Sequence, residues 1–396
     1  MIGPFGFHPN KTMHSRALGL GRPLVEFGHQ VAIFMPPWQT PDQAKRTWVE
    51  DGVAIHYTPL SGGTIGTTRH LLRAALTWQP DLVHCFKPKA YSGLAAWWLW
   101  QTRRHRLPLV VDTDDWEGWG GWNDLAPYSP VQKWFFQWQE QWGLRHAHAV
   151  TVASRALQTL VWGMGVAPER VAYIPNGPGI ESKTAVNRAA TRQRLGLGDR
   201  PVLLLYSRLF EFDTKRLVAI LAGVKTAVSD LTILSVGTGL YAEDAAQFRQ
   251  QLERANLNES IVDVGWVERD DLPPLLASAD VGLYLMEDTL LNRTKCPVKL
   301  ADMVTLGLPV VAEAVGQVEE YVVNGRSGYL HPSGDNEAII HSLIHLLQQP
   351  DTRHQFSQAA RAQAQTFAWP RLARRLEAVY QKELTTDLTD HTDQNG

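Results

Sequence analysis

The chain has 396 residues, is 44% hydrophobic and 20% charged, and carries a formal net charge of −2. That length predicts two domains, each large enough for its own core, and the near-zero charge excludes nucleic-acid binding driven by overall charge. With only two cysteines, Cys85 and Cys296, no signal-peptide pattern and no apolar run longer than 91–100, neither a disulfide framework nor a membrane span is expected, and a reducing, cytoplasmic setting is.

In chain order, residues 1–6 read as the end of a first strand running into a glycine-containing turn, a strand either cut short or begun upstream. Thr12 stands as the N-cap of a helix reaching about Phe27, Gly28 ends it, and 30–35 is the next strand. Strands at 53–57, 82–85 and 109–112 alternate with helices at 67–78 and 91–104. A long helix over 130–145 leads to a strand at 149–153, a helix at 155–164 and a strand at 171–174. This rhythm is the sequence form of a doubly wound parallel sheet. It assigns residues 1–182 to an N-terminal Rossmann-like domain and the polar stretch 183–199 to a linker.

A second alternation fills a C-terminal domain over 200–367. Strands at 201–206, 231–236, 261–264 and 280–285 are separated by helices from 214, at 241–255 and at 270–277. Helices at 336–348 and 352–366 follow, then a C-terminal helix within 368–384 and a polar tail, 385–396, expected to be disordered. Two such α/β domains in succession are expected to face each other across a cleft at the carboxyl ends of their sheets, where ligands bind in such folds.

The stretch 294–313 is the most informative. Pro297 suits the first turn of a helix. Val298, Leu300, Ala301, Val304 and Leu306 can cover its buried side, and Gly307 ends it. The apolar run 309–312 fits a parallel strand covered on both faces. A helix N-terminus beside a parallel sheet suits an anion such as a diphosphate, and Asp302 can accept a hydrogen bond from a sugar hydroxyl. This segment resembles the donor-binding segment of the family 4 (group 1) glycosyltransferases, which share the GT-B fold. The family carries two glutamates there, eight positions apart; here Thr294 stands at the first and Asp302 at the second.

The remaining site residues follow from the same resemblance. Ser207-Arg208 and Lys215 are similar to the family's G-R-x…K segment. Transfer from a nucleotide sugar leaves a diphosphate, for which Arg208 offers a planar fork and Lys215 a point charge; a solvated helix face is the plainer reading of both. Gly237 and Gly239 match a Gly-x-Gly near the nucleotide, although glycines after a strand often only make the turn. Trp266 and Val267 stand where the family's backbone contacts the base, and Val298 and Lys299 complete the donor set with Thr294 and Asp302. Glu313 and 317–320 lie where relatives contact the donor sugar, or are surface carboxylates. In the first domain the resemblance sets Gly3 and Gly6 beside the diphosphate, with Lys11 and Arg16 toward the acceptor.

The run Val110-Val-Asp112-Thr-Asp114-Asp115-Trp116-Glu117 closes a strand. Asp114 occupies the place of a histidine common in relatives and is the third catalytic candidate, while Asp112, Asp115, Trp116 and Trp119 are acceptor candidates. Asp112-Thr-Asp114 also spells the D-x-D of the other large glycosyltransferase fold, but it ends a strand in the acceptor-side domain, so no metal is expected. His84 is read as a packed strand histidine. Of the 15 tryptophans, Trp134, Trp138 and Trp142 form a helical stripe read as core or interface packing. Leu94, Trp97 and Trp98, followed by Arg103, Arg104 and Arg106, leave a peripheral contact with the inner face of a membrane open, a buried helix being preferred. Trp116, Trp119 and Trp122, spaced by glycines, suit a loop that stacks on an acceptor sugar or meets a lipid chain.

The implied function is a hexosyltransferase that moves a sugar from a nucleotide-diphosphate sugar to a saccharide or lipid-linked acceptor in glycan, glycolipid or exopolysaccharide synthesis. The resemblance implies retention of configuration and no metal or other cofactor. A non-catalytic sugar-nucleotide or glycan-binding protein of the same fold is the alternative, favoured by Thr294 and Asp302. An NAD-dependent oxidoreductase would need a G-x-G-x-x-G between strand and helix, which the sequence lacks.

Overall fold

A computed structural model describes residues 1–8, 12–180, 186–238 and 242–386. Lys11, Gly239 and all but the first two residues of the tail 385–396 lie outside the described residues. The chain divides into two compact α/β units. Unit 1 takes in Met1–Gly177, Thr294–Cys296 and the chain from Ala368 on; unit 2 takes in Pro178–Arg293 and Pro297–Phe367.

The strands of unit 1 are β1 (Ala32–Met35), β2 (Thr47–Glu50), β3 (Val53–Tyr57), β4 (Val83–Phe86), β5 (Leu109–Thr113), β6 (Ala149–Val152) and β7 (Val171–Tyr173). They form two sheets, β2-β3-β1 and β4-β5-β6-β7, parallel except for the antiparallel edge strand β2. Ile2 joins them, bridging Phe34 on one side and Cys85 on the other. Ile2 thus takes the place of a first strand between the two sheets. The helices are α1 (Leu18–Glu26), α2 (Gly63–Thr77), α3 (Ala90–Arg103), α4 (Trp122–Leu125), α5 (Pro130–Arg145) and α6 (Arg155–Gly163). Thr12 does not cap: its own dihedrals are helical, its side chain makes no capping bond, and a π-helical turn, Met13–Ala17, precedes α1. β1, β4, β5 and β6 are buried along their whole length because helices cover both faces.

Unit 2 contains α7 (Arg188–Arg194), β8 (Val202–Tyr206), α8 (Thr214–Ala227), β9 (Thr232–Val236), α9 (Ala242–Arg254), β10 (Ile261–Asp263), α10 (Leu272–Ala277), β11 (Val281–Tyr284), α11 (Leu290–Thr294, its end crossing into unit 1), α12 (Val298–Thr305), β12 (Val310–Glu313), α13 (Val318–Tyr321), β13 (Gly328–His331), α14 (Asn336–Gln348) and α15 (Pro350–Ala364). The six strands form one parallel sheet in the order β10-β9-β8-β11-β12-β13. The last helix, α16 (Trp369–Thr385), returns to unit 1, where Leu372, Ala373 and Leu376 join the core made by Leu20, Leu24 and Ile33.

In the stretch 294–313 the loop, helix and strand fall as expected, with shifts of one residue. Pro297 is the N-cap rather than the first helical residue, and Val298 and Leu306 are only half-buried, while Asp302 and Met303 join Leu300, Ala301 and Val304 inside. Gly307 ends the helix at φ +74°, a left-handed conformation that glycine adopts without steric cost.

Candidate functional site

In unit 2 the chain builds outward from β8 to β10 and then from β11 to β13 on the other side. The topological switch point therefore lies between β8 and β11, and in open α/β sheets the crevice at the carboxyl ends of such a strand pair is where ligands bind. A shallow depression there is lined by Leu205, Tyr206 and Ser207 from the end of β8, Glu211 and Phe212 from the loop after it, Leu283, Tyr284 and Leu285 from the end of β11, and Lys299 from the first turn of α12.

Tyr206 is the centre of this edge. Its phenol is held well above its ordinary pKa by burial and then by Asp302, while Arg269 and Arg208 act in the opposite sense. The Lys299 ammonium lies 5.2 Å from the Tyr206 ring centre, and the Arg208 guanidinium 5.1 Å from that of Phe210. The Arg208 Nε is buried, with no hydrogen-bond partner among the described residues. Arg208 thus lies near Tyr206, and two further cations, Arg269 and Lys299, lie near one carboxyl group, that of Asp302. Burial pushes its pKa up to about 6 even though it accepts the Ile180 and Gly179 N–H groups and lies near Arg269 and Lys299. The edge has an excess of positive charge in a partly desolvated setting, which suits a polyanion.

Asp302 also has a structural task. Its Oδ1 accepts the backbone N–H groups of Gly179 and, at 3.0 Å, Ile180, tying the start of unit 2 to α12. A Cβ on Gly179 would lie 2.9 Å from both Arg269 Nη2 and Val298 Cγ1, so this close approach requires glycine. Gly237 and Gly265, after β9 and β10, take φ of +87° and +66°, and the Gly237 N–H donates to the Gly265 carbonyl at 2.8 Å. Trp266 is exposed and Val267 half-buried. Lys215 is exposed on the first turn of α8, with no ion-pair partner among the described residues. Glu313 is fully buried and saturated: it accepts Arg216 Nη2 at 2.6 Å and the Gly334 and Met286 N–H groups at 2.7 Å each. It is thus an internal tie, neither a surface carboxylate nor an open contact for a sugar.

In unit 1 the switch point lies between Ile2 and β4, so the loop carrying Gly3 and Gly6 and the end of β4 are its ligand-facing positions. A Cβ on Gly3 would collide with the Met13 thioether at 2.4 Å, and one on Gly6 would sit 3.0 Å from the Tyr57 hydroxyl. Lys87, which the sequence reading passed over, follows β4 and is buried. Its ammonium lies 2.9 Å from Asp114, 3.0 Å from Glu117 and 3.4 Å from Asp115. Lys89 pairs with Glu117 at 2.5 Å. Burial pushes Asp115 up to about 6 against the pull of Lys87. Glu117, equally buried, is brought down to about 2 by Lys87 and Lys89. Glu140, which accepts the Glu117 N–H, is pushed up to about 8 by burial and by the Glu117 charge. A lone lysine after a strand gives no sign of this network, because its partners lie about thirty residues away.

Three expected acceptor residues, Arg16, Asp112 and Trp116, are turned inward. Arg16 and Asp112 form a bidentate pair at 2.8 and 2.7 Å, both buried, with the third guanidinium nitrogen donating to Asn176 at 2.9 Å and Thr151 donating to Asp112. Their hydrogen-bonding capacity is spent on each other, because a buried guanidinium requires a buried counter-charge. Trp116 is also buried, its indole N–H donating to the Trp119 carbonyl at 2.8 Å, whereas Trp119 is exposed. Thr294 is buried in unit 1, its carbonyl accepting Ser154 Oγ at 2.7 Å. His84 is packed as read, bonded to Tyr380 and Thr151 and kept neutral by burial.

Residues 12–177 match the family described as glycosyl transferase 4-like domain, and 200–349 match glycosyl transferases group 1. Phosphatidyl-myo-inositol mannosyltransferase of Mycobacterium leprae is 24% identical over 98% of this chain and 97% of its own. Among solved structures, the Anabaena protein HepE in complex with UDP superposes with a TM-score of 0.72 at 18% identity over 96% of this chain and 99% of its own. Sucrose-phosphate synthase of Thermosynechococcus elongatus gives 0.71 at 19% over 96% and 98%.

Proposed function

We propose, on the premise that the chain belongs to the group 1 glycosyltransferases and is an enzyme of the GT-B class, that it moves a hexose from a nucleotide-diphosphate sugar held by unit 2 to a hydroxyl of a saccharide or lipid-linked acceptor engaged by unit 1. The observation that carries this reading is the gathering of Arg208, Arg269 and Lys299 around Tyr206 and Asp302 at the switch point of the unit 2 sheet. Breaking the bond between the anomeric carbon and its phosphate oxygen leaves charge on a diphosphate. Donors fixed in a partly desolvated site stabilise that charge more in the transition state than in the ground state. The buried Arg208 Nε has no partner among the described residues, which leaves it to donate to the donor's phosphate, and exposed Lys215 supplies a further cation. The acceptor proton passes to an oxygen of the departing phosphate, and configuration is retained. Asp114, held by Lys87, is assigned to the reacting sugar, and Asp115 and Trp119 to the acceptor. The donor is a substrate, and the reading calls on no metal or other cofactor.

The mannosyltransferase named above supports a lipid-linked acceptor, and the UDP complex of HepE supports a nucleotide-linked donor. A thermal-shift screen of UDP-, GDP- and ADP-sugars tests the donor. At a hundred times its Kd the true donor stabilises the fold by about 2.7 kcal/mol. Turnover with that donor and the anomeric configuration of the product then test transfer and retention. A protein that no nucleotide sugar stabilises, and that neither hydrolyses nor transfers any of them, would refute the proposal.

A further inference from the structure

Lys87 stands at the end of β4, at the switch point of unit 1, in a backbone conformation that lysine avoids. Its φ is +47°, and that of Ala90 is +50°, left-handed values that cost energy in a residue bearing a Cβ and persist only where surrounding contacts impose them. Those contacts are present. The Lys87 N–H donates to the Asp112 carbonyl at 2.9 Å, and Ser92 Oγ is shared between the carbonyls of Lys87 and, at 3.0 Å, Lys89. The turn sends the Lys87 side chain in among three carboxylates, which it meets in two ways. Its ammonium donates hydrogen bonds to Glu117 at 3.0 Å and to Asp115 at 3.4 Å. Asp114 Oδ1 lies closer, at 2.9 Å, but in charge contact alone: it is buried and accepts no hydrogen bond among the described residues. Asp114 thus has its charge balanced while an acceptor position is left open. The neighbouring cations are committed elsewhere, Lys89 to Glu117 and the rings of Tyr128 and Phe136, and Arg16 to Asp112 and Asn176.

We propose that Lys87 is a positioning residue of the transfer reaction: its ammonium balances and aims Asp114, so that this carboxylate accepts a hydroxyl of the transferred sugar without opposing the charge that builds on the departing phosphate. The inference rests on the glycosyl-transfer reading and on the assignment of Asp114 to the reacting sugar. A carboxylate is a strong acceptor for a hydroxyl. Its own charge works against it here, because a fixed anion near a leaving diphosphate raises the energy of the state in which negative charge develops. An ammonium in contact with Asp114 and screened from water offsets that field, since its attraction is strengthened by the same desolvation. The pair offers a strong acceptor with little net charge.

The test compares variants by kcat, by donor KM and by the thermal shift that the donor produces. Lys87→Met should lower kcat about a hundredfold, the cost of a misplaced group at a reacting centre, with the donor KM unchanged because unit 2 holds the donor. Lys87→Met with Asp114→Asn removes both charges of the pair and keeps an amide oxygen to accept the hydroxyl; it should return kcat to within about tenfold of wild type. Lys87→Met with Glu117→Gln removes the same charge from the cluster but leaves Asp114 unbalanced, and should be as slow as Lys87→Met. A lysine that served stability alone would let both double variants recover together, since each relieves the buried cluster of one negative charge. Equal behaviour of the two double variants, whether both recover or both stay slow, would overturn the proposal, and this comparison stands even where Lys87→Met alone does not fold. A Lys87→Met protein with wild-type kcat would overturn it as well. Those outcomes, with wild-type turnover intact, sink this inference alone; a wild-type protein that turns over no nucleotide sugar would sink the glycosyl-transfer reading and this inference with it.

Discussion

Arg16 and Arg208 are both arginines with buried guanidinium atoms, and their partners separate structure from chemistry. Arg16 has Nε, Nη1 and Nη2 all bonded to Asp112 and Asn176, whereas Arg208 Nε has no partner among the described residues. Arg16→Ala should therefore destabilise unit 1 by about 3–5 kcal/mol, because Asp112 is left buried and uncompensated; chemical denaturation reads this. Arg208→Ala should leave the midpoint of unfolding in place and lower kcat about a hundredfold, the cost of losing one fixed donor at a developing charge. Near-wild-type turnover with a verified donor would remove Arg208 from the machinery. Glu140 gives a pH signature. Its folded pKa, pushed up to about 8, lies above the ordinary 4.5, so the folded state holds a proton that the unfolded state releases. Its contribution to stability is fully present below about 4.5 and is lost as pH rises through about 8. Glu140→Gln, which cannot ionise, should melt close to wild type at pH 5 and higher than wild type at pH 9; equal shifts at both pH values would disprove the assignment.

At the scale of elements, the segment from α12 to β12 shows what the sequence discloses and what it withholds. Punctuation is local, so Pro297, Gly307 and the apolar run 309–312 located the helix and the strand to within a residue or two. Alternation of apolar strands and helices likewise placed most of both sheets. The strand β2 was missed because it is an edge strand whose residues are exposed or half-exposed, leaving no buried run to read. The helix α7 was hidden in a polar stretch whose arginines bond to Asp280 and to carbonyls at 277–279. Partners were harder still to foresee. Glu313 was expected on a polar loop, yet it joins the end of β12 to Arg216 on α8, 97 residues away, and to the loops at Met286 and Gly334. These ties hold the carboxyl edge of the sheet in place. Glu313→Ala should cost about 3–5 kcal/mol, since it strands the largely buried Arg216 and two backbone N–H groups. A loss in unfolding free energy below about 1 kcal/mol would show that Arg216 finds another acceptor.

At the scale of the molecule, sequence order and unit membership part company, and this is the feature that composition and periodicity disclosed least. The helix α16 reads as an appendix to the second domain, yet its apolar face completes unit 1. Trp369 lies against Gly19, where a Cβ would come within 2.6 Å of the indole. Arg374 stacks over Phe27 at 3.4 Å, Glu377 meets His29 at 2.9 Å, and the Tyr380 hydroxyl bonds His84 at 2.6 Å. Leu372 and Leu376 are fully buried, and withdrawing two such side chains forfeits about 3–6 kcal/mol. That is comparable with the whole stability of an ordinary domain, about 5–15 kcal/mol. It would also leave His84 without one of its two side-chain partners and uncover Leu20, Leu24 and Ile33. A chain ending at Phe367 should therefore lose the cooperative unfolding of unit 1 in calorimetry. Unit 2, whose strands and cation-rich edge are untouched, should keep its own transition and its stabilisation by a nucleotide sugar. A shortened chain that melts as the full chain does would show that α16 only rests on α1, whereas loss of both transitions would show that unit 2 cannot hold its fold without an intact unit 1.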